Sequence, residues 1–343
     1  MKRVLILMVV IATFLFWGCT KQKVASPDLK DSLQNSVAKI NNAVKYISGT
    51  DGYNILTAGS SDLKSEMDFS DSITLDMVKG IYDFNPDFHH HHMFFIPHRI
   101  FERTGESENM VVNMPYKLVL HPWRLHNVQS EDAAADNNFT INASDYHYYY
   151  SWFKNYDYKI IADFILDSED IGSIDIYSEG SSESGRSYSS SYTFKDGYNI
   201  SVEYLSGDST VSSFALAETD DILLKETFIR LRKENEKREL KYMLTIGNIE
   251  IVRGTGIDSI QVYLDGVLQQ EAGAIITDSN STGNSVCHHR DILLTFDDGT
   301  TENLSELIKP AREVLASLFD SLHSMNFATN IVNYIAISIY YHN

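Results

Sequence analysis

Between Phe139 and Ala217 apolar and polar side chains alternate in six runs, 139–150, 156–166, 171–178, 187–194, 198–205 and 210–217. A period of two is the mark of strands with one buried face. The runs are rich in Tyr, Ile, Phe, Val and Ser, and Asp196-Gly197 and Gly207-Asp208 supply tight turns between them. Connections this short join antiparallel neighbours, because parallel strands need long crossovers. The pattern predicts further strands over 240–253, 257–264, 267–276 and 290–296, with turns at Asp265-Gly266 and Asp298-Gly299.

Helical spacing appears elsewhere. Leu29, Leu33, Val37, Ile40, Val44 and Ile47 recur every three or four residues after the helix-start signal Ser26-Pro27-Asp28. Gly49 and Asp51-Gly52 are expected to stop that helix. Asp220-Asp221 reads as the start of a second helix, with Leu224, Phe228 and Leu231 on one face and a charged continuation to about residue 238. A helical pair interrupted at Pro310 follows, with Ala311, Val314, Leu315, Leu318 and Leu322 on one side. The last stretch, Ile331 to Tyr341, fits both an alternating strand and a helix.

These elements predict an α+β fold: an N-terminal helix and a large antiparallel β-sheet covered by helices near 219–238 and 301–324. Residues 27–126 hold the helix and a mixed region, Asn127 to Asn138 is the best linker candidate, and 139–343 form the β-rich domain. Ile171 to Gly180 resembles Ile257 to Gly266, and Thr193 to Gly197 resembles Thr295 to Gly299. A duplication of 158–217 in 241–308 would give two related half-sheets. Chance recurrence of alternation and Asp-Gly turns explains the likeness equally well.

Ahead of the folded part, Met1-Lys2-Arg3 is a cationic start, Val4 to Trp17 is an unbroken apolar run of 14 residues, and Gly18-Cys19 follows. The run is shorter than the roughly 20 residues a spanning helix needs, so it reads as an export leader. It resembles the signal of bacterial lipoproteins, with Phe16 and Trp17 in place of the usual Leu and small residue. The resemblance covers the leader only. It implies cleavage after residue 18, acylation of Cys19 and a short tether over 19–26. The protein would then be lipid-anchored in the cell envelope, in the outer membrane of a Gram-negative bacterium.

Charge and composition narrow the function classes. Removing the leader takes Lys2 and Arg3 away and moves the net charge of −19 to −21. So acidic a chain is not expected to bind nucleic acid or an anionic membrane face by general electrostatics. With 43% hydrophobic and 22% charged residues it is globular. Lipidation of Cys19 would leave Cys287 without an internal partner, so the core alone must hold the fold.

Four clusters could carry chemistry. Tyr146, Tyr148, Tyr150 and Trp152 share one face of a strand, and Tyr156 and Tyr158 could join them from the return strand. Exposed, they make a platform for sugars or an apolar partner; buried, they are core. His89, His90, His91 and His92, with His98 nearby, could chelate a divalent metal, but consecutive residues point apart and no separated anchor completes a tetrahedral site. Thr295-Phe296-Asp297-Asp298-Gly299 resembles the first motif of polysaccharide deacetylases, yet the histidine pair that family needs is missing downstream. Cys287-His288-His289 lacks a third catalytic partner. No phosphate-binding, dinucleotide, serine-hydrolase or zinc-protease motif is present, so no cofactor is expected apart from a metal on the histidine run. The expectation is a non-catalytic, membrane-anchored lipoprotein that binds an apolar ligand or a protein partner. The alternatives are a glycan-acting envelope hydrolase and metal handling through His89 to His92.

Overall fold

Eleven consecutive strands each pair antiparallel with the next, so β5 to β15 form one uninterrupted meander. They are β5 (Phe139–Tyr150), β6 (Asn155–Leu166), β7 (Glu169–Ser181), β8 (Gly185–Phe194), β9 (Tyr198–Ser206), β10 (Ser209–Glu218), β11 (Asp221–Leu231), β12 (Glu239–Ile246), β13 (Ile249–Gly254), β14 (Gln261–Leu264) and β15 (Val267–Leu268). The description comes from a computed structural model and covers residues 26–342 apart from 59–71, 87–99, 127, 129–134, 151–154, 182–184, 208, 232–238, 255–259, 279–289, 297 and 325–330.

Beyond β5 the sheet continues through β4 (Met110–Met114), β2 (Gly80–Phe84) and β3 (Phe101–Gly105), with β2 parallel to β4. A two-residue strand β1 (Ile73–Thr74) also pairs with β5. These make fifteen strands. A separate antiparallel sheet holds β16 (Gly273–Asp278), β17 (Arg290–Thr295) and β18 (Thr301–Asn303). The fold is α+β, as the alternation and the N-terminal helix predict. Because β4 pairs with β5, the chain on both sides of the 127–138 stretch contributes to the same sheet.

Each strand of the meander has an inner, apolar face and an outer, polar one. In β7 the even-numbered residues from Gly172 to Gly180 are buried, while Ser173, Asp175, Tyr177 and Glu179 face outward. Helices cover the inner face: α1 (Ser26–Ile47), α2 (Asp51–Thr57), α6 (Lys309–His323) and α7 (Asn333–His342), with three short ones, α3 (Leu75–Val78), α4 (Tyr116–Leu120) and α5 (Leu304–Leu307). In α1 the six apolar residues at helical spacing are all buried against the sheet. Burying such a stripe stabilises by about 25 cal/mol per Å² of apolar surface removed from water. The turns at Asp167-Ser168, Asp196-Gly197, Gly247-Asn248 and Asp265-Gly266 lie together at one end of the meander, here the near end. The first turns of α1 sit there, with the Ser32 hydroxyl 2.5 Å from Asn248 Oδ1. Strands β5, β7, β9 and β11 finish at the opposite, far end.

One sequence expectation changes, and the structure decides two points that the sequence left open. Asp221 to Leu231 is strand β11, not a helix. Its Leu224-Phe228-Leu231 spacing imitates a helix, but Ile222, Thr227, Phe228 and Ile229 suit a strand, and hydrogen bonding to β10 and β12 on both sides overrides a weak local preference. Helix α1 ends at Ile47, where the stop signals place its end, and a second helix follows at once: Thr50 Oγ1 accepts from the Tyr53 backbone N–H at 3.2 Å and caps α2. The C-terminal stretch is helical. Residues Ile331 to Ile339 are all buried, and a helix enclosed on every side needs no amphipathic period. The two resembling segments do not occupy equivalent places. Ile171 to Gly180 lies in the 13-residue β7, whereas Ile257 to Gly266 contributes only the four-residue β14, and Thr295 belongs to the other sheet. Among the described residues no helix is long and apolar enough to cross a membrane.

Candidate functional site

One row of the inner face is aromatic across almost the whole meander. The register aligns Tyr148 with Tyr158, Tyr158 with Ser178, Ser178 with Tyr188 and Tyr188 with Tyr204. It continues from Tyr204 through Ser212, Phe228 and Tyr242 to Arg253. Nine strands thus contribute one side chain each, six of them aromatic. Tyr148 and Tyr158 meet edge to face at 6.2 Å, and Phe228 and Tyr242 lie 5.0 Å apart. The small residues Ser178 and Ser212 interrupt the row between larger neighbours.

The end of the row on β5 to β8 is roofed by helices. Tyr146, one step nearer the core, is 1% exposed and donates from its hydroxyl to Asn333 Oδ1 of α7 at 3.0 Å. Tyr188 donates to the Leu322 carbonyl at the end of α6, and its ring meets the His323 ring edge on. Burial pushes the Tyr188 hydroxyl up to about 12. Burial also holds Tyr146 and Tyr158 well above the usual phenol range, and neighbouring phenols add to it. All three therefore stay neutral at physiological pH, and Tyr146 and Tyr188 donate the hydrogen bonds just named.

Two hydroxyls in this roofed region have no partner among the described residues: Tyr158 and, one row further in on β8, Ser190. A buried donor left unmade costs roughly 1–3 kcal/mol, so such groups normally face water or a ligand atom. The region offers neutral donors beside apolar rings, which is the chemistry of a site for an apolar molecule with an oxygen acceptor.

The sequence-predicted residues fall out as follows. Tyr146 and Tyr148 come together on the inner face, and Tyr158 joins them from β6. Tyr146 and Tyr158 are buried and Tyr148 is half-buried, so these three are not an open platform. Tyr150 ends β5, and Trp152, Cys19 and the histidines 89–92 and 98 lie outside the described residues, as do Cys287, His288 and His289. Among the described residues no group of three or more His, Cys, Asp or Glu could hold a metal. Asp298 accepts from the Thr300 backbone N–H at 2.8 Å and from its hydroxyl at 2.6 Å, which closes its own turn and lowers its pKa. Glu169 is lowered too, by Lys195 at 2.9 Å. Neither is the raised carboxylic acid a general acid requires.

No family model, curated protein or solved structure matches this chain. The site is therefore read from its own chemistry. Sequence reasoning missed Tyr188, Tyr204, Phe228 and Tyr242 as members of one row. The signal was present in the alternation of each strand, but joining the strands into a row requires their register, and the helical reading of 221–231 hid Phe228.

Proposed function

We propose that this is a lipid-anchored envelope protein that holds an apolar ligand on the inner face of its sheet without chemically changing it. The observation that carries the reading is the aromatic row with the two unpartnered buried hydroxyls beside it. The anchor follows from the leader ending at Cys19. Six residues separate Cys19 from the start of α1 at Ser26, and the seven Cα–Cα steps between them reach at most about 24 Å. This tether holds the near end towards the membrane and leaves the far end facing away.

Native mass spectrometry of the exported chain lacking the leader and Cys19, before and after denaturation, tests the proposal. A non-covalent mass lost on denaturation is the expected result. A clean apo mass that stays clean on incubation with long-chain fatty acids, their esters and phospholipids overturns it.

A further inference from the structure

We infer that the far half of the inner face binds an acyl lipid with an anionic headgroup, the headgroup held by Arg230 and Arg253 and the chain laid along Tyr242, Phe228 and Tyr204. This rests on the apolar-ligand reading and adds the sign of the ligand's charge.

The two kinds of basic residue are sorted by face. In the described residues of β5 to β15 every arginine, Arg186, Arg230 and Arg253, projects from the inner side. Every lysine of those strands, Lys159, Lys225 and Lys241, projects from the outer side. Each inner arginine pairs in register with an inner-face residue: Arg186 with Gly180, Arg230 with Thr210 and Leu240, Arg253 with Tyr242. The carboxylates of this half go the other way. Among the described residues Asp157, Asp175, Glu179, Glu203 and Glu239 are on the outer face, and Glu226 is the one carboxylate inside, half-buried between Phe214 and Leu244. The described inner face of this half thus carries three arginines and one carboxylate.

The three inner arginines lie at the surface, and none forms an ion pair among the described residues. Beside them Leu240 is 53% exposed, Tyr204 and Phe228 are half-buried, and Tyr242 is buried beneath them as the floor of this edge, so apolar surface and cations share the same edge. Arg230 and Arg253 stand two strands and one inner-face row apart, about 12 Å between their backbones, within the reach of two extended side chains converging on one headgroup. Arginine is the residue that meets carboxylate or phosphate bidentately and stacks on aromatic rings, whereas lysine is a hydrated point charge. Arginines beside the rings and lysines on the solvated face fit a ligand whose anionic end lies next to its apolar part.

Binding of cis-parinarate, a fluorescent long-chain carboxylate, and of its methyl ester tests this on the unlipidated full-length mature chain. The carboxylate is expected to bind at least tenfold tighter than the ester. The double variant Arg230→Gln, Arg253→Gln should remove that preference while leaving ester binding unchanged. Lys241→Gln, one charge on the outer face next to Arg230, should leave both unchanged. Equal binding of acid and ester overturns the headgroup assignment but keeps the apolar-ligand reading. Loss of preference in Lys241→Gln overturns it as well, because the effect would be general electrostatics. Binding of neither probe removes both readings. Capture by anionic vesicles without any binding of monomeric probe makes the face a membrane contact and overturns the single-lipid site. These charged residues are exposed, so a matching unfolding transition confirms that the variants remain folded.

Discussion

The ring of Tyr156 lies across Gly180, so that a Cβ on the glycine would come within 2.2 Å of the ring. The two residues pair in register on β6 and β7, at the far end of the inner face. Glycine in a strand interior packs poorly by itself, and here the tyrosine fills the space from the neighbouring strand.

The first prediction follows from that contact. Gly180→Val should destabilise the protein by about 1–3 kcal/mol, the usual cost of overpacking, because the ring must leave its place. In a Tyr156→Ala background the same change should cost clearly less. A double-mutant cycle by chemical denaturation reads the coupling. Equal costs in both backgrounds would show that the ring does not occupy the glycine's face.

Much of this arrangement was legible before the fold. The six runs from 139 to 217 agree with β5 to β10 to within a few residues at each end, because strict alternation and Asp-Gly turns are local signals. Strand β11 was not legible. Its Leu224, Phe228 and Leu231 carry a helical period, and only the ladders to β10 and β12 reveal the strand. The aromatic row and the inner arginines were not legible either. Alternation tells which residues share a face within a strand, but whether Tyr188 stands beside Tyr204, or Tyr242 beside Arg253, depends on register between strands.

The second prediction concerns high pH. A phenol whose folded pKa lies above its unfolded value near 10 keeps its proton longer when folded. The unfolded state then binds fewer protons above pH 10, so stability falls as pH rises. For Tyr188, pushed up to about 12, the contribution is fully present below pH 10 and is lost between 10 and 12. Tyr146 and Tyr158 shift in the same direction and extend the loss upwards. Denaturant midpoints should therefore fall steeply above pH 10. Tyr188→Phe should flatten the first part of that fall. An unchanged midpoint up to pH 12 would mean that these phenols ionise without unfolding.

The third prediction isolates the contact between β5 and α7. Tyr146→Phe removes the donor to Asn333 and leaves a buried amide oxygen unmet, at a cost of roughly 1–3 kcal/mol. Adding Asn333→Leu should recover part of that cost, since removing both partners is less damaging than removing one. Truncation before Asn333 should cost more than either change, because it also removes Ile335, Ile337 and Ile339 from the core and uncovers the apolar surface they pack against. Hydrogen exchange of the β5 amides would report whether α7 protects that strand.

The last prediction separates a ligand site from a packed core. Tyr158 carries a buried hydroxyl with no partner among the described residues. In a ligand-free protein Tyr158→Phe removes a group that costs free energy, so stability should stay level or rise by up to about 1 kcal/mol. For a ligand seated in the roofed region with an uncharged oxygen at Tyr158, distinct from the anionic headgroup at Arg230 and Arg253, the same hydroxyl donates to that oxygen, so the variant should hold the ligand more weakly, by about fivefold to tenfold for one neutral hydrogen bond. The two effects have opposite signs, which is the useful feature of this position. Thermal unfolding of stripped and lipid-loaded protein, wild type and variant, reads both. A variant destabilised in the stripped state would show that the hydroxyl bonds within the protein or to structural water.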